Sequence, residues 1–287
     1  MRALAVPVKS LGHGKSRLSP LLTPLERAAL TLAMFEDVLD ATHLLDGWET
    51  WVVSPDEQVL EIAMARRAHA ISEERPSLGA AIQQVEDEAT ARAAEALAIL
   101  PADVPLLSHA ALVAGLHTLG PVVLAPSSDE RGTNLLLRRP PGAIPSRFGH
   151  DSFRRHLEEA AERELPTAVV DREELAFDLD EPGDILTVLR ARRPGRTLEV
   201  CREMDLADRL GPGSDGGDVD QGTIKDFDET ARTGTLLTDD GTEIAIDGTS
   251  LEGSGILTLR IGQRVKFETE EQGGGGVARS LRLVTFD

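Results

Sequence analysis

Short apolar runs alternate with helical patterns through the first half of the chain, and this alternation limits the fold more than any other feature. The runs Leu4–Val8, Thr50–Val53, Leu97–Leu100 and Val122–Ala125 have the length and composition of buried strands. Helical patterns separate them; one starts at Thr23–Glu26, where threonine, proline and glutamate form a capping-box signature. Strands joined through helices predict an α/β fold with a mainly parallel sheet.

The polar loops that follow these strands are the candidates for a functional site. In a sheet of this kind the ligand lies beyond the carboxyl ends of the strands. We therefore expect the loops at 9–17, 54–56, 101–105 and 126–133 to share one edge and to form one cleft.

The bulk properties exclude several classes of protein. The chain has 287 residues, which suits one or two domains, and a net charge of −19 that disfavours general nucleic-acid binding. It contains no apolar run near the ~20 residues that span a bilayer and no signal-peptide core, so we expect a cytoplasmic protein without a membrane partner. Its single cysteine, Cys201, excludes an intrachain disulfide. The oligomeric state is left open, with a homodimer as one alternative.

The first polar loop carries Lys9, Lys15 and Arg17 around two glycines. Glycines let a backbone approach phosphate oxygens, and the cations offset phosphate charge, so the loop predicts a site for a polyphosphate. The sequence Gly14-Lys15-Ser16 also invites a P-loop interpretation, but that motif needs glycine where Lys9 stands. An ordinary solvated basic loop remains the other alternative.

Three aspartates suggest a site for a hard cation. Asp103 lies between two prolines directly after an apolar strand, and Asp178 and Asp180 flank Leu179 on an extended segment, which puts both carboxylates on one face. Mg²⁺ prefers such oxygen ligands, and it would relieve the repulsion between like charges. The alternative for Asp103 is a helix-capping or turn aspartate. The alternative for the pair is that one carboxylate faces the metal and Asp180 only caps the helix beginning at Pro182.

A second group of polar residues follows the strand at 122–125. Thr133 comes after an acidic loop, and Ser152 stands near the start of a helix predicted over about 152–163. Free backbone N–H groups at a helix start bind anions, so Ser152 is either part of an anion site or a simple N-cap. His150 is interpreted as a loop residue rather than as a base, because phosphate oxygens need no deprotonation at neutral pH.

Over residues 1 to about 190 the ordered set of loops resembles the guanylyltransferases that activate 2-phospholactate, phosphoenolpyruvate or 3-phosphoglycerate in biosynthesis of the deazaflavin coenzyme F-420. The matching pieces are Pro7-Val8-Lys9, Lys15-Ser16-Arg17-Leu18, Val52-Val53-Ser54-Pro55-Asp56, Pro101-Ala102-Asp103-Val104-Pro105, Gly132-Thr133-Asn134, Phe148-Gly149 with Ser152-Phe153, and Asp178-Leu179-Asp180-Glu181-Pro182-Gly183-Asp184. The resemblance implies a nucleotide-diphospho-sugar transferase-like fold. It also implies transfer of GMP from GTP to a small phosphorylated carboxylic acid.

The same resemblance assigns roles to individual residues. It implies Mg²⁺ ligation by Asp103, Asp178 and Asp180, and acceptor binding by Thr133, Gly149 and Ser152. It places Lys9, Lys15, Arg17 and Ser54 on the nucleotide, with Lys15, Arg17 and Asp103 as catalytic residues. One departure from the family concerns the segment near the base of the nucleotide. Where the family usually has Gly-Leu-Asn, this chain has Ser77-Leu78-Gly79. Another nucleotidyltransferase of the same fold, of the molybdopterin or sugar-phosphate type, is therefore the alternative.

The composition changes after Arg193. We expect a transferase domain at 1–193, a linker at 194–220 that contains the glycine-rich stretch Gly211–Asp218, and a second domain at 221–287. Short alternating segments with glycine turns at Asp240-Gly241 and Gly273–Gly276 predict a small all-β barrel of the OB type.

The frame of this segment consists of Gly222-Thr223-Ile224-Lys225, Phe227, Asp239-Asp240-Gly241, and Gly262-Gln263-Arg264-Val265 with Phe267-Glu268. In this frame it resembles a cold-shock domain, but it lacks most of the stacking aromatics that such barrels use on single strands. Phe227 is the one that remains, and Asp226, Thr233, Thr235, Ala245, Asp247 and Gly248 stand at the other positions. A nucleic-acid-binding protein is therefore the least favoured alternative.

Overall fold

A seven-stranded sheet forms the centre of the first part of the chain, in the order β3-β2-β1-β4-β6-β5-β7. The computed structural model describes residues 1–210, 220–238, 241–251, 256, 258–272 and 275–283, and it divides the chain into the units Met1–Gly211 and Pro212–Asp287. The strands of the sheet are β1 (Arg2–Pro7), β2 (Trp48–Ser54), β3 (His69–Ser72), β4 (Ala96–Ile99), β5 (Val122–Pro126), β6 (Thr133–Arg138) and β7 (Thr167–Val169). In the described residues no helix is both long and apolar enough to cross a membrane.

The helices cover both faces of this sheet. They are α1 (Pro24–Thr42), α2 (Glu57–Ala65), α3 (Leu78–Ala91), α4 (His109–His117), α5 (Ser152–Glu162), α6 (Glu173–Ala176), α7 (Pro182–Ala191), α8 (Arg196–Glu203) and α9 (Leu206–Leu210). Strand β1 is buried on both sides: Leu4 and Val6 pack in the cluster that contains Phe35 of α1, and Ala3 and Ala5 pack in the cluster that contains Val85 of α3. This two-sided burial explains why the strands read as continuous apolar runs.

The mainly parallel sheet predicted from the sequence is confirmed, with one strand reversed. Strand β1 is parallel to β2 and β4, whereas β6 is antiparallel to β4 and β5. The reversed strand begins at Thr133, opposite Pro126 at the end of β5. Because β6 runs the other way, its first residues lie at the same edge as the carboxyl ends of β1, β4 and β5. Thr133 and Asn134 therefore reach the predicted cleft from the start of a strand.

The predicted linker boundary at 193 differs from the structure. Helix α8, at Arg196–Glu203, packs on α1, and its residues Leu198, Val200 and Cys201 are buried with Met34 of α1 in one apolar cluster. The carboxylate of Asp37 also accepts hydrogen bonds from the backbone of Arg196 and Thr197, at 2.7 and 2.9 Å. Residues up to 210 thus belong to the first unit, because their apolar face completes its core. The glycine-rich stretch 211–218 lies outside the described residues.

The second unit contains a closed barrel in the order β10-β12-β11-β8-β9 among its described residues. Its strands are β8 (Asp220–Asp228), β9 (Thr233–Thr238), β10 (Glu243–Ile246), β11 (Arg264–Gln272) and β12 (Gly275–Leu283). Alternate side chains such as Ile224, Leu236 and Val265 fill its interior. The predicted small barrel is confirmed; of its predicted turns, Asp239, Asp240, Gly273 and Gly274 lie outside the described residues.

Candidate active site

A cavity of about 270 Å³ opens at the carboxyl edge of the sheet, where the sequence places the cleft. Several loops and three helices, α1, α3 and α5, contribute to it. Its wall consists of Pro7, Val8, Lys9, Gly14, Lys15, Thr31, Leu78, Pro101, Ala102, Asp103, Gly132, Thr133, Asn134, Phe148, Gly149, Ser152, Asp178 and Asp180. The prediction that separate loops form one cleft is confirmed for those at 9–17, 101–105 and 126–133, whereas the loop at 54–56 contributes only Pro55, to a neighbouring cavity. Segments as far as 165 residues apart in the chain meet through the pair Lys15–Asp180.

Lys15 is the centre of one side of the cavity. Its ammonium contacts Asp103 Oδ2 at 2.7 Å and Asp180 Oδ1 at 2.6 Å, and its side chain is only 8% exposed. Burial by itself would lower the pKa of Lys15, but the two carboxylates outweigh burial and hold the pKa above its usual value. The ammonium is therefore charged and held in place between the β4 loop and the segment before α7.

The backbone brings the three aspartates together. The N–H of Leu179 donates to the carbonyl of Asp103 at 3.0 Å, which fixes the extended segment at 178–180 against the β4 loop. Asp178 is held from the other side by the Asn134 amide, at 3.4 Å. Burial and the nearby Asp103 carboxylate raise the pKa of Asp178 to about 6, against the opposing effect of the Asn134 hydrogen bond.

The donor chemistry of this cluster fits an oxygen-binding divalent cation. Asp103 and Asp180 each use one oxygen for Lys15, so each keeps a second oxygen, and Asp178 adds a further carboxylate. The charged side chains of the cavity wall sum to −1 in the described residues, which a polyphosphate would make more negative still. No group of three or more His, Cys, Asp or Glu side chains in the described part of the chain is already arranged as metal ligands. The oxygens are present, but Lys15 now stands among them.

Another part of the cavity wall presents hydroxyl groups. Thr133 and Ser152 are only 3% and 2% exposed, and their hydroxyl oxygens are 3.1 Å apart. Ser152 is the first residue of α5; the N-cap is Asp151, at a φ of +51° and without a side-chain cap, so the N-cap interpretation of Ser152 is wrong. Gly149 has a φ of +117°, which side-chain-bearing residues rarely adopt, and it lets the loop turn into α5 at the cavity wall.

Ser54 and Arg17 do not stand where the direct role predicted for them requires. Ser54 is fully buried, its hydroxyl accepts from the Asp56 N–H at 3.2 Å, and it is absent from the wall of each described cavity. Arg17 is 68% exposed and lies 3.9 Å from Asp180 and 3.7 Å from Glu181, outside the cavity wall. His150 is 86% exposed, in keeping with its interpretation as a loop residue.

The loop after β1 differs from a P-loop. It forms short 3-10 turns at Leu11–His13 and Ser16–Leu18, and α1 begins only at Pro24. A P-loop needs a helix directly after its lysine, so that the helix N-terminus faces the phosphates. Lys15 instead adopts a left-handed backbone conformation with a φ of +51° and turns inward to the aspartates. The P-loop alternative is therefore wrong.

A second cavity of about 330 Å³ shares four wall residues with the first, namely Pro7, Val8, Lys9 and Leu78. Its further wall residues are Ser10, Val53, Pro55, Glu73, Pro76, Ser77 and Ala81. Lys9 stands at the junction of the two spaces. Apolar side chains make up most of the wall of this second cavity. Glu73 is the residue of this wall that carries a carboxylate.

Sequence reasoning missed several residues of the site. Leu78 and Phe148 line the cavity, and Asn134 holds Asp178, but an apolar or amide side chain carries no chemical signature by itself. His156 is fully buried behind Thr133, with Nδ1 at 3.0 Å from the threonine hydroxyl. The four-residue spacing between Ser152 and His156 was a signal, since it puts both side chains on one face of a helix.

Comparison with known proteins agrees with this geometry. The sequence profile of the family described as "Guanylyl transferase CofC like" matches residues 1–216. The phosphoenolpyruvate guanylyltransferase of Rubrobacter xylanophilus is 42% identical over 183 residues, 63% of this chain and 89% of that protein. The 2-phospho-L-lactate guanylyltransferase of Methanothermobacter thermautotrophicus is 34% identical over 214 residues, 73% of this chain and 94% of that protein.

Another relative carries a third acceptor in its name. The 3-phospho-D-glycerate guanylyltransferase of Phenylobacterium zucineum is 37% identical over 197 residues, 66% of this chain and 90% of that protein. Among solved structures, a Desulfovibrio desulfuricans protein assigned to the nucleotide-diphospho-sugar transferases has a TM-score of 0.59 at 18% identity, covering 73% of this chain and 98% of its own. That likeness supports the fold. The profile match covers the whole sheet, the cavity and the helices up to α9, and on this basis the chain belongs to the CofC-like guanylyltransferase family.

Proposed function

We propose that this protein transfers GMP from GTP to a small phosphorylated carboxylic acid and releases pyrophosphate, as a step of coenzyme F-420 biosynthesis. The observation that carries the proposal is one cavity whose wall combines two unlike groups: Lys15 among carboxylates, and a pair of buried hydroxyls. The lysine and the carboxylates suit a triphosphate with its cation. The two hydroxyls suit an anion that no metal ion coordinates. The acceptor is one of phosphoenolpyruvate, 3-phosphoglycerate and 2-phospholactate, the acids named by the relatives.

The reaction needs one bond to form and one to break. An oxygen of the acceptor phosphate attacks the α-phosphorus of GTP, and the bond between the α-phosphorus and the bridging oxygen breaks, so pyrophosphate leaves. Lys15 provides a fixed positive charge beside the phosphates, and Lys9 adds a second charge at the junction of the cavities. Such preorganised charge stabilises the transition state without reorganisation during the reaction.

Asp103, Asp178 and Asp180 would hold Mg²⁺. When bound, the ion neutralises phosphate charge and stabilises the attacking and leaving oxygens. The aspartates position Lys15 by the contacts at 2.7 and 2.6 Å, and the ammonium then offsets part of their own charge. Arg17, at the rim, would act on the entering triphosphate through its long-range charge rather than by a contact inside the cavity.

The second cavity is proposed as the seat of the base. Its apolar wall suits a flat purine, and the Glu73 carboxylate, held through Oε1 by the Ser77 N–H at 2.8 Å, can accept the two adjacent N–H donors of guanine. Adenine lacks that pair of donors. Ser77, which stands where the family usually has glycine, belongs to this wall together with Leu78 and so is compatible with a purine here.

A panel of four nucleoside triphosphates tests this assignment. With Mg²⁺ and each acid in turn, GTP should be the best donor, and Glu73→Gln should reduce the preference for GTP over ATP by about tenfold, because a hydrogen bond to a charged group is replaced by a mismatched amide. Glu74→Gln, in an exposed neighbouring position, is the matched control. Preferential use of CTP or ATP by the unaltered protein would favour another nucleotidyltransferase of the same fold.

The barrel is proposed to have no general nucleic-acid-binding function, whether or not it derives from a cold-shock domain. Phe227 is half-buried and packs against the barrel core, and Asp226 is exposed beside it and accepts a hydrogen bond from Thr235. A stacking surface needs exposed aromatic faces and a basic groove. These positions present neither.

A further inference from the structure

A fully buried histidine stands behind the two hydroxyls of the cavity. His156 lies on α5, four residues after Ser152, and has no exposed surface. Both of its ring nitrogens have partners: the backbone N–H of Arg147 is 2.8 Å from Nε2, and the hydroxyl of Thr133 is 3.0 Å from Nδ1. The ring edge also contacts the Phe148 ring, with centroids 5.2 Å apart. The histidine is therefore fixed in both position and orientation.

The partners of His156 determine where its proton is. A backbone N–H can only donate, so Nε2 must accept from Arg147 and carries no proton of its own. Burial, helped by the positive charges of Arg138 and Arg155, lowers the pKa of His156 to about 3, so the ring is neutral. A neutral imidazole has one N–H, which must then be on Nδ1. That N–H donates to the oxygen of Thr133.

The direction of the His156–Thr133 hydrogen bond decides how many hydroxyl protons Thr133 and Ser152 can donate to a ligand. Thr133 and Ser152 have one proton each, and one of these two protons forms the 3.1 Å hydrogen bond between them. Because His156 donates to Thr133 and takes nothing from it, the other hydroxyl proton remains for a ligand. With the opposite tautomer, Thr133 would donate into the core, Ser152 would donate to Thr133, and neither proton would be left.

We propose that His156 is a positioning residue that, by donating from Nδ1 to Thr133, reserves one hydroxyl proton of the Thr133–Ser152 pair for an anionic oxygen of the acceptor. The inference rests on the proposed function for the identity of that acceptor. The hydrogen bonds run in one direction, from the Arg147 amide through the imidazole to the hydroxyls on the cavity wall. An acceptor phosphate or carboxylate, which has only lone pairs to offer, is the complementary ligand.

Two isosteric variants separate the two hydrogen bonds of the ring. In His156→Asn the side-chain amide nitrogen takes the place of Nδ1 and keeps a donor for Thr133. In His156→Gln the amide oxygen takes the place of Nε2 and keeps an acceptor for Arg147, but nothing donates to Thr133. We expect His156→Gln to raise the acceptor KM about tenfold or more and His156→Asn to raise it less than threefold. The KM for GTP should be unchanged in both.

The outcome is judged by the difference between the variants. Equal acceptor KM values in the two, or an equal rise in the KM for GTP, would contradict the inference, because a merely structural histidine would affect both substrates and both variants alike. Thermal unfolding of each variant shows whether it is folded enough to compare.

A second measurement does not require a variant to be enzymatically active. Long-range ¹⁵N–¹H correlation spectra of the ¹⁵N-histidine-labelled protein should show one ring with a protonated Nδ1 and an unprotonated Nε2 from pH 5 to 8. The signal belongs to His156 if it is missing from the spectrum of His156→Asn. A protonated Nε2 would overturn the inference even if the transfer reaction is as proposed. Conversely, the expected tautomer in a protein that transfers no GMP would count against the proposed function alone.

Discussion

At the scale of single residues, Lys15 and its carboxylates hold the site together. The lysine is paired twice, at 2.7 and 2.6 Å, whereas Asp178 is half-buried and accepts a hydrogen bond from an amide. Removing one carboxylate therefore changes the charge of the cavity more than it changes the packing.

Asp103→Asn is expected to lower kcat/KM for transfer about 100-fold or more, since it removes a proposed cation ligand and a charge preorganised near the phosphates. The free energy of unfolding should change little, because the Asp103 side chain is 32% exposed and Lys15 keeps Asp180. Steady-state kinetics over a range of Mg²⁺ concentrations, together with thermal unfolding, provide the check. Asp46→Asn, at an exposed site, is the matched control and should leave both unchanged. Near-normal activity of Asp103→Asn at limiting Mg²⁺ would contradict the role.

Acidic and basic residues at strand ends were predictable, since strand position alone puts Lys9, Lys15 and Asp103 at one edge. Asp178 follows α6 rather than a strand, so only the family resemblance joined it to Asp103. The features of the site that the sequence predicted wrongly or missed have physical explanations. Ser54 ends a strand as well, but its side chain points into the core and caps a turn, and the alternation of a short buried strand does not show which face is covered. The tautomer of His156 depends on the Arg147 amide, nine residues away, which no local pattern connects to it.

At the scale of elements, the loop between β6 and α5 forms one wall of the cavity, and its glycines differ in a useful way. Gly149 has a φ of +117°, whereas Gly142 lies outside the positive-φ range, and a Cβ at either position would meet no atom within 4 Å. The two positions therefore separate backbone conformation from steric crowding.

Gly149→Ala should lower the free energy of unfolding by about 1–3 kcal/mol through backbone strain and should raise the acceptor KM, because the turn at the cavity wall must adjust. Gly142→Ala should stay within about 0.5 kcal/mol of the unaltered protein. Urea unfolding measures both. A stability loss shared equally by the two variants would show that conformation at Gly149 is not the cause.

Helix α5 also predicts a pH effect, since it buries His156 in its neutral form. The folded pKa is about 3, well below the ordinary value near 6.5 of the unfolded chain, so the unfolded state binds the proton more readily as the pH falls. The groups around the ring are Arg138, Arg147, Arg155 and Glu159. Stability should be fully present above about pH 6.5 and should be lost by roughly 2 kcal/mol on going to pH 5.

The comparison with His156→Asn isolates this contribution from the other histidines and the carboxylates. The difference in unfolding free energy between the two proteins, measured by urea denaturation from pH 7.5 to 5, should shrink by that amount at low pH. A difference that does not vary with pH would mean that His156 is not buried in its neutral form.

The element pattern was predictable where periodicity was strong, as in α1 with its capping box at Thr23 and Glu26. The direction of β6 was not, because a buried strand has the same composition whichever way it runs, and the turn at 127–132 is specified by contacts such as the hydrogen bond from Gly132 N–H to Ser127 at 2.6 Å. The helix α8 was missed because its apolar residues are few and owe their burial to α1.

At the scale of the whole molecule, the two units have separate cores. The first unit buries its apolar residues in the clusters around the sheet and α1, and the second fills the barrel with its own set. A truncated chain of residues 1–210 should therefore fold and retain the transfer reaction with KM values within about threefold. A chain cut at 193, which removes α8 and its contacts with α1, should be markedly less stable. Comparable stability of the two truncated chains, by circular dichroism on heating, would contradict this division.

The barrel makes a separate prediction. Residues 212–287, which contain the barrel, carry 15 acidic and 7 basic side chains, so the electrostatic contribution to nucleic-acid binding is unfavourable on average. Each missing base–aromatic stack forfeits about 1–3 kcal/mol more. Fluorescence anisotropy at physiological salt should detect no submicromolar binding of a single-stranded oligonucleotide to the full chain. Tight binding would revive the cold-shock-type function that the sequence argues against.

The central claim is that the cavity transfers GMP from GTP to a phosphorylated carboxylic acid. Mass spectrometry of the products tests it most directly, with the full-length protein, GTP and Mg²⁺ incubated separately with phosphoenolpyruvate, 3-phosphoglycerate and 2-phospholactate. The account predicts a guanylylated diphosphate adduct of at least one acid, formed with an equal amount of pyrophosphate and lost in Asp103→Asn. No adduct with any of the three acids, or an adduct that Asp103→Asn forms equally well, would contradict it.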